Sequence, residues 1–402
     1  MSATDPGPSP RTRDAGTAAL LRLCAGYYLS YVATGITVKW FTGGLRTPVM
    51  GQVAFLFDNT LGSSLIRVLA VLALGWLRLP APQTRRWLGL RVPVETPYIV
   101  ASGICTAIVI PATTLLYTLP ISIMVAMVIM RASVIVISRA VDAVLERRGL
   151  LRRPVHAEEN WAVVLAVSAM ATDLLLAPLA GWLARFAPGA ARWLGASSLH
   201  GGFEFLRSPL ATGVLIAYII AYAVRLYWMN VFKLTRPPGP GLDNRGYFAI
   251  EQVTASATMA LLTLALVIAA RGFGWQDARV VELSREVAAP SWPALASGLP
   301  YALVAFFSVF LFMFRGRSAT FAGLVNRITS LLAGTTATLL LAAWFHLAPP
   351  SGADWASLAL VLGAIALLAR VERMRASEVA GEGRSPLDEK ASARRLTNPA
   401  SV

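Results

Sequence analysis

Charge is what this chain has least of. Only 14% of its 402 residues are Asp, Glu, Lys or Arg, against 56% hydrophobic, too little charge to clothe a soluble domain of that size. Cysteine and histidine are nearly absent, at two and three residues. Cys24 and Cys105 fall at unrelated depths in different apolar stretches, so neither a disulfide nor a thiolate metal site is expected. His156, His200 and His346 are scattered in loops or at stretch ends. No paired-aspartate cluster of the kind that holds Mg²⁺ for phosphoryl or glycosyl transfer accompanies them. A phosphate-binding loop and an appended ATPase domain are both lacking, which excludes primary active transport by this chain alone. The run Pro237-Pro238-Gly239-Pro240-Gly241 is a turn-rich connector, not a nucleotide cradle. No metal and no cofactor is therefore expected. A basic segment leading into a short apolar run and a small-residue cleavage site is also lacking, so no cleaved signal peptide is expected.

What the chain has is apolar length. Ten stretches stand out, at 18–39, 50–75, 97–118, 120–142, 161–184, 209–232, 247–270, 294–314, 318–344 and 354–371. Each is long enough, at about 1.5 Å per helical residue, to cross a hydrocarbon core of about 30 Å. Most lack the polar face a buried soluble helix of that length would carry. The segments 1–17 and 372–402 read as disordered tails, and 185–208 as a connecting loop.

The second half repeats the first at an offset of about 194 residues. Lys39 returns at Lys233, Tyr28 at Tyr222, Asp58-Asn59 at Glu251-Gln252, Ala101-Ser102-Gly103 at Ala296-Ser297-Gly298, Arg131 at Arg327 and Trp161-Ala162 at Trp355-Ala356. Each match is weak alone; six in order at nearly one offset are not. Five spans per copy reverse the second copy in the membrane. The fold expected is therefore an all-α integral membrane protein of ten transmembrane helices, arranged as two inverted five-helix repeats, 18–184 and 209–371.

Orientation follows from the basic residues. With both termini inside, 24 Lys and Arg fall in inner segments and 8 in outer ones, the asymmetry of a multi-pass protein with cytoplasmic termini. The formal charge of +15 is then a topology signal and an attraction to anionic lipid headgroups, and no nucleic-acid partner is expected. Trp40, Trp76, Trp161, Trp182, Trp344 and Trp355 sit at span ends, as interfacial indoles do. The excess of Arg over Lys points to a GC-rich genome and so to a bacterial inner membrane.

The run Leu119-Pro120-Ile121-Ser122 joins two closely spaced spans, and Arg131-Ala132-Ser133-Val134-Ile135-Val136 follows it. With Trp161 and Trp355 opening the last span of each half, these residues resemble the drug/metabolite transporter superfamily, nearest its EamA-like and nucleotide-sugar-transporter-like branch. The likeness covers residues 18–371. Two features depart from it. The acidic residue that many bacterial members carry at the end of the fourth span is displaced here to Glu146, and the outer segment from Arg185 to Arg207 is long. The resemblance implies an inverted-repeat carrier with a central cavity lined by both halves.

Seven ionisable residues lie inside the spans: Asp58, Arg67, Arg131, Asp173, Arg225, Glu251 and Arg327. Each costs about 2.5 to 3.5 kcal/mol at bilayer depth on insertion scales, so each needs a partner, a cavity or water. Arg131 and Arg327 fall near the midplane on repeat-related spans. They read as an anion-binding pair, with Asn326, Asn59 and Gln252 as further substrate-binding candidates, or alternatively as structural cations held by a neighbouring carboxylate or by helix carbonyls. Asp58 and Glu251 read as proton-coupling carboxylates, as neutralising partners of those arginines, or as direct substrate contacts; Asp173 reads as a packing partner for one of the arginines. Tyr31, Tyr222 and Arg225 are gate candidates on tyrosine stripes that include Tyr28 and Tyr218, the alternative being plain helix packing. Lys39, Lys233 and Arg67 are expected to snorkel.

The function expected is secondary-active transport of a small organic solute bearing an anionic group, by alternating access, without enzymatic chemistry. A membrane-embedded transferase using the outer loops around His200 and Glu204 is the alternative, and a non-transporting assembly factor a third reading. Partners are the small-molecule solute and membrane lipids, and a homodimer is compatible with this reading.

Overall fold

In a bilayer the backbone must satisfy its own hydrogen bonds, so uninterrupted apolar runs become helices. The computed structural model describes residues 10–43, 50–77, 84–87, 89–119, 122–151, 156–193, 209–235, 244–312 and 319–382. The first half comprises α1 (Pro10–Phe41), α2 (Gln52–Ala73), strands β1 (Thr84–Trp87) and β2 (Leu90–Pro93), α3 (Thr96–Thr118), α4 (Ile123–Arg147), α5 (Ala157–Leu183) and the short α6 (Pro188–Trp193). The second comprises α7 (Pro209–Thr235), α8 (Asn244–Gly272), α9 (Ala278–Glu286), α10 (Trp292–Ala296), α11 (Gly298–Phe312), α12 (Ala319–Phe345) and α13 (Gly352–Glu382).

Local chemistry marks several helix starts. The Ser122 hydroxyl accepts from Val125 N–H (3.1 Å) to open α4, and Asp277 accepts from Arg279 N–H (3.0 Å) to open α9. Ser351 and Asp354 exchange side-chain-to-backbone hydrogen bonds of 3.1 and 3.2 Å at the start of α13. Such caps satisfy amides that have no intrahelical partner.

Eight helical segments of the described residues are long and apolar enough to cross a membrane, within α2, α3, α4, α7, α8, α10 with α11, α12 and α13. Two further long helices, α1 and α5, have 32 and 27 residues. Large apolar side chains face outward along them, among them Leu261, Leu262, Leu264 and Ile268 of α8 and Trp161, Val164 and Val167 of α5. A water-soluble chain rarely exposes so much contiguous apolar surface. The chain is a multi-pass membrane protein whose spans are helical. Of the tryptophans placed at span ends, all but Trp76 stand exposed; Trp76 stacks on Phe306 at 6.0 Å.

Three details differ from the expectation. A small antiparallel hairpin, β1–β2, occupies the segment between α2 and α3, turning at Gly89 with φ of +81°. Helix α1 begins at Pro10, inside the segment expected to be a tail; proline suits a first helical turn because it has no amide to leave unsatisfied. Helix α13 runs to Glu382, since Arg, Glu, Met and Ala beyond the apolar stretch are strong helix formers.

The halves interleave. Helix α3 packs on α7 and α8, while α11 packs on α1 and α2; α1 also lies against α12, α4 against α7, and α5 against α13. Glycine permits the closest approaches. A Cβ on Gly103 of α3 would come within 2.9 Å of the Glu251 carbonyl oxygen, and one on Gly298 of α11 within 2.5 Å of the Asn59 carbonyl oxygen.

Candidate functional site

Helix period brings polar side chains from seven helices, Thr106 and Thr113 of α3 among them, to one central cavity of about 80 Å³. Tyr27 and Tyr31 are one turn apart on α1, as are Tyr218 and Tyr222 on α7, with Arg225 below them. Arg67 enters from α2, Arg131 from α4, Gln252 from α8, and Tyr301 and Ser308 from α11.

Arg131 is held by hydroxyls. Its Nη2 donates to Tyr31 Oη (3.0 Å) and, at 3.4 Å, to Tyr27 Oη, while the guanidinium lies over the Tyr31 ring at 5.6 Å. Tyr27 passes the orientation on, donating to Asn326 Oδ1 (3.1 Å), whose Nδ2 donates to Ser308 Oγ (3.2 Å). The Arg131 Nε is buried with no hydrogen-bond partner among the described residues. Arg67 is likewise surrounded by neutral acceptors, donating to the Ser63 carbonyl (3.0 Å), Ser64 Oγ (3.0 Å) and Gln252 Oε1. Neither guanidinium forms an ion pair within the described residues.

Arg225 differs. Its Nε and Nη2 grip Glu251 at 2.9 and 3.2 Å, and Glu251 also accepts from Ser102 Oγ (2.8 Å) and Thr106 Oγ1 (3.1 Å). Tyr247 Oη donates to Ser102 (2.9 Å) and completes the network. A buried carboxylate so fully satisfied is compatible with low-dielectric surroundings. Three guanidiniums against one carboxylate leave the cavity two positive charges in excess, arranged as forks that fit oxyanions.

The structure brings together Arg131, Tyr31, Tyr222, Arg225 and Gln252, with Glu251 and Asn326 directly behind them. It does not bring Arg327 there. Arg327 lines a second cavity of about 350 Å³ between α4, α5, α7, α12 and α13, where its Nη2 donates to Ser138 Oγ (2.8 Å). The expected Arg131–Arg327 clamp is thus divided between two cavities. Equivalent sequence positions on α4 and α12 do not impose the same azimuth once the helices pack on different neighbours.

Asn59 and Asp58 also lie away from the cavity. Asn59 Nδ2 donates to Ser297 Oγ (3.0 Å), a contact between helices, and Asp58 Oδ2 accepts from the Ser291 backbone N–H (2.8 Å). Asp58 therefore neutralises neither Arg131 nor Arg327. Arg225 is committed to Glu251, and among the described residues lining this cavity the ring beneath a cation is that of Tyr31, not Tyr222. The side chains of Asp173 and Lys233, together with His200 and Glu204, lie outside the described residues.

Sequence reasoning missed Arg67, Tyr27 and Tyr301. Arg67 does not snorkel, because Ser63, Ser64 and Gln252 supply its hydrogen bonds at depth. Tyr27, not Tyr28, faces the cavity, while Tyr28 donates to Thr336 Oγ1 (2.8 Å) in helix packing. The spacing with Tyr31 fits both tyrosines, so periodicity alone could not choose. Tyr301 did carry a signal, since it stands at the repeat offset from Thr106, another cavity residue. Lys39 caps the end of α3 by donating to the Leu119 carbonyl (2.7 Å) instead of reaching for the interface.

Among the described residues no group of His, Cys, Asp and Glu is placed to hold a metal ion. No protein-family model matches the chain, and no curated protein matches it significantly.

Proposed function

We propose that this chain is a secondary carrier that moves a small organic anion across the membrane by alternating access, unchanged chemically. The observation that carries this reading is the pair Arg67 and Arg131, two buried guanidiniums that face one cavity with only neutral partners. Leaving two cations unpaired at depth costs several kcal/mol, about 2.5 to 3.5 for each on insertion scales, and an anion in the cavity offsets it. A purely structural arginine would be held by a carboxylate, as Arg225 is, or by helix carbonyls, whereas Arg131 bonds only tyrosine hydroxyls among the described residues.

The architecture that goes with this reading has ten spans in two inverted repeats, with α1 and α5 as the first and fifth, of the drug/metabolite transporter type. Reciprocal packing supports it. The third helix of each half lies on the first and second of the other, α3 on α7 and α8, α11 on α1 and α2. Gly103 and Gly298, at the repeat offset, make the same kind of close approach from opposite sides. The distribution of basic residues supports cytoplasmic termini, and the arginine-rich composition a bacterial inner membrane.

Counterflow in proteoliposomes tests the reading. Vesicles preloaded with one member of a panel of carboxylated and phosphorylated metabolites should accelerate uptake of the same labelled compound, recovered intact. Absence of exchange across the panel, or recovery of a chemically altered compound, would overturn it.

A further inference from the structure

The second cavity is larger than the first and lies where the inner ends of its helices meet, towards the side that the basic residues assign to the cytoplasm. Arg327 points into it with a single hydrogen bond, to Ser138 Oγ at 2.8 Å, and its Nε is buried without a hydrogen-bond partner among the described residues. The charged groups around Arg327 come from α4, α5 and α13, while α7 lines the cavity without one. Glu159 of α5 and Arg375 of α13 are paired with each other, and Arg139 of α4 lies 3.8 Å from Glu146. Asp142 of α4 acts on Arg327 through space, as do Arg131 and the Tyr222 hydroxyl. Tyr222 also lines the central cavity. The two cavities are therefore electrostatic neighbours, and each presents an unsatisfied Nε.

We propose that this vestibule is a second anion station, where Arg327 and Ser138 hold an oxyanion group of the solute before it passes Tyr222 to Arg131 and Arg67. This rests on the carrier reading and extends it. The repeat-related arginines 131 and 327 then serve as successive stops on one path, not as two jaws of one clamp. A guanidinium with an unmatched Nε suits a carboxylate or phosphoryl oxygen.

Thiol labelling in the vestibule tests it. Asn230 lines this cavity and its side chain bonds only to the Leu226 carbonyl of its own helix, so Asn230→Cys in a Cys24→Ala, Cys105→Ala background places a probe without touching Arg327. An anionic methanethiosulfonate should react faster than its cationic analogue, after correction for their rates with a free thiol. Adding Arg327→Gln should lower that ratio by about tenfold, as loss of one nearby charge at low screening implies. Millimolar inorganic phosphate should slow labelling when Arg327 is present and have no effect in Arg327→Gln. Arg327→Lys should keep the ratio and weaken phosphate protection severalfold, which provides a readout if the glutamine variant does not fold.

A ratio indifferent to Arg327→Gln, or phosphate protection abolished by Arg131→Gln but not by changes at Arg327, would overturn the second station. Counterflow on the same proteins separates the two ideas. Exchange-competent protein lacking the labelling signature refutes the station alone. The signature without exchange of any anion refutes the carrier reading and leaves an anion site in the vestibule.

Discussion

Ser102 of α3 and Ser297 at the end of α10, separated by one repeat offset, each meet the second long helix of the other half. Ser102 donates to Glu251 at 2.8 Å, and Ser297 accepts from Asn59 at 3.0 Å. The symmetry stops one residue short of exact, because the carboxylate partner in the first case is matched by an amide in the second. The cause lies one helix away. Arg225, which grips Glu251, stands at the repeat position of Tyr31, so Asp58 has no arginine to turn towards and instead takes the Ser291 amide.

Removing either cavity cation should cost binding before it costs folding. Arg67→Gln and Arg131→Gln are expected to lose about 2 to 5 kcal/mol of anion binding, thirtyfold or more in apparent affinity. Their unliganded melting temperatures should stay near wild type, because no carboxylate is stranded. Arg131→Lys should recover only part of the loss. Thermal melts with and without the transported anion check this; a melting temperature that collapses while the ligand-induced shift persists would mark a packing role.

Glu251 behaves oppositely. Glu251→Gln leaves Arg225 buried and unpaired, an expected loss of about 3 to 5 kcal/mol. Adding Arg225→Gln should restore much of it, so a double-mutant cycle in detergent should give a coupling energy of about 2 kcal/mol or more. Additive effects would contradict the structural pair. If Glu251 instead carries a coupled proton, the glutamine variant stays folded and loses only its response to an imposed pH gradient.

The two tyrosines of α1 separate cavity from packing. Tyr27→Phe removes the hydroxyl between Arg131 and Asn326 and should weaken anion affinity by about tenfold, the scale of one hydrogen bond to a charged group. Tyr28→Phe removes only a bond to Thr336 and should leave affinity unchanged. Equal effects in a binding titration would mean that α1 presents another face to the cavity.

Close helix approach predicts a graded response to one methyl group. Gly298→Ala would place Cβ 2.3 Å from the Ser63 amide nitrogen, backbone that cannot step aside, and should destabilise by about 1 to 3 kcal/mol or more. Gly103→Ala meets Thr254 Cβ at 2.7 Å and the Glu251 carbonyl oxygen at 2.9 Å, longer approaches than at Gly298, and should cost less. Gly213→Ala has nothing within 4 Å and should be neutral or better. The order of the three melting temperatures is the check.

Length and hydropathy were legible because an apolar run states its own helix. The stretches at 50–75, 209–232 and 318–344 became Gln52–Ala73, Pro209–Thr235 and Ala319–Phe345. Azimuth was not legible. Whether Tyr27 or Tyr28 faces inward is a rotation of about 100°, and only the position of α12 and Asn326 decides it. Arg67 looked like a snorkelling residue because its acceptors, Ser64 beside it and Gln252 far along the chain, are individually unremarkable. Arg327 copied the position of Arg131 but not its surroundings, since α12 packs on α1 and α4 at once.

Interleaving of the halves has a consequence for synthesis. When translation has produced α1 to α5, the glycine face of α3 at Gly103 has no α8 to lie on, and α1 lacks both α11 and α12. The first half must wait in the membrane with polar side chains such as Ser102 and Asn59 lacking their partners, Glu251 and Ser297, until the second emerges. Two separately made halves should therefore be unstable alone and recover only when produced together, and the sequence between them sets how long the unfinished half is exposed to quality control.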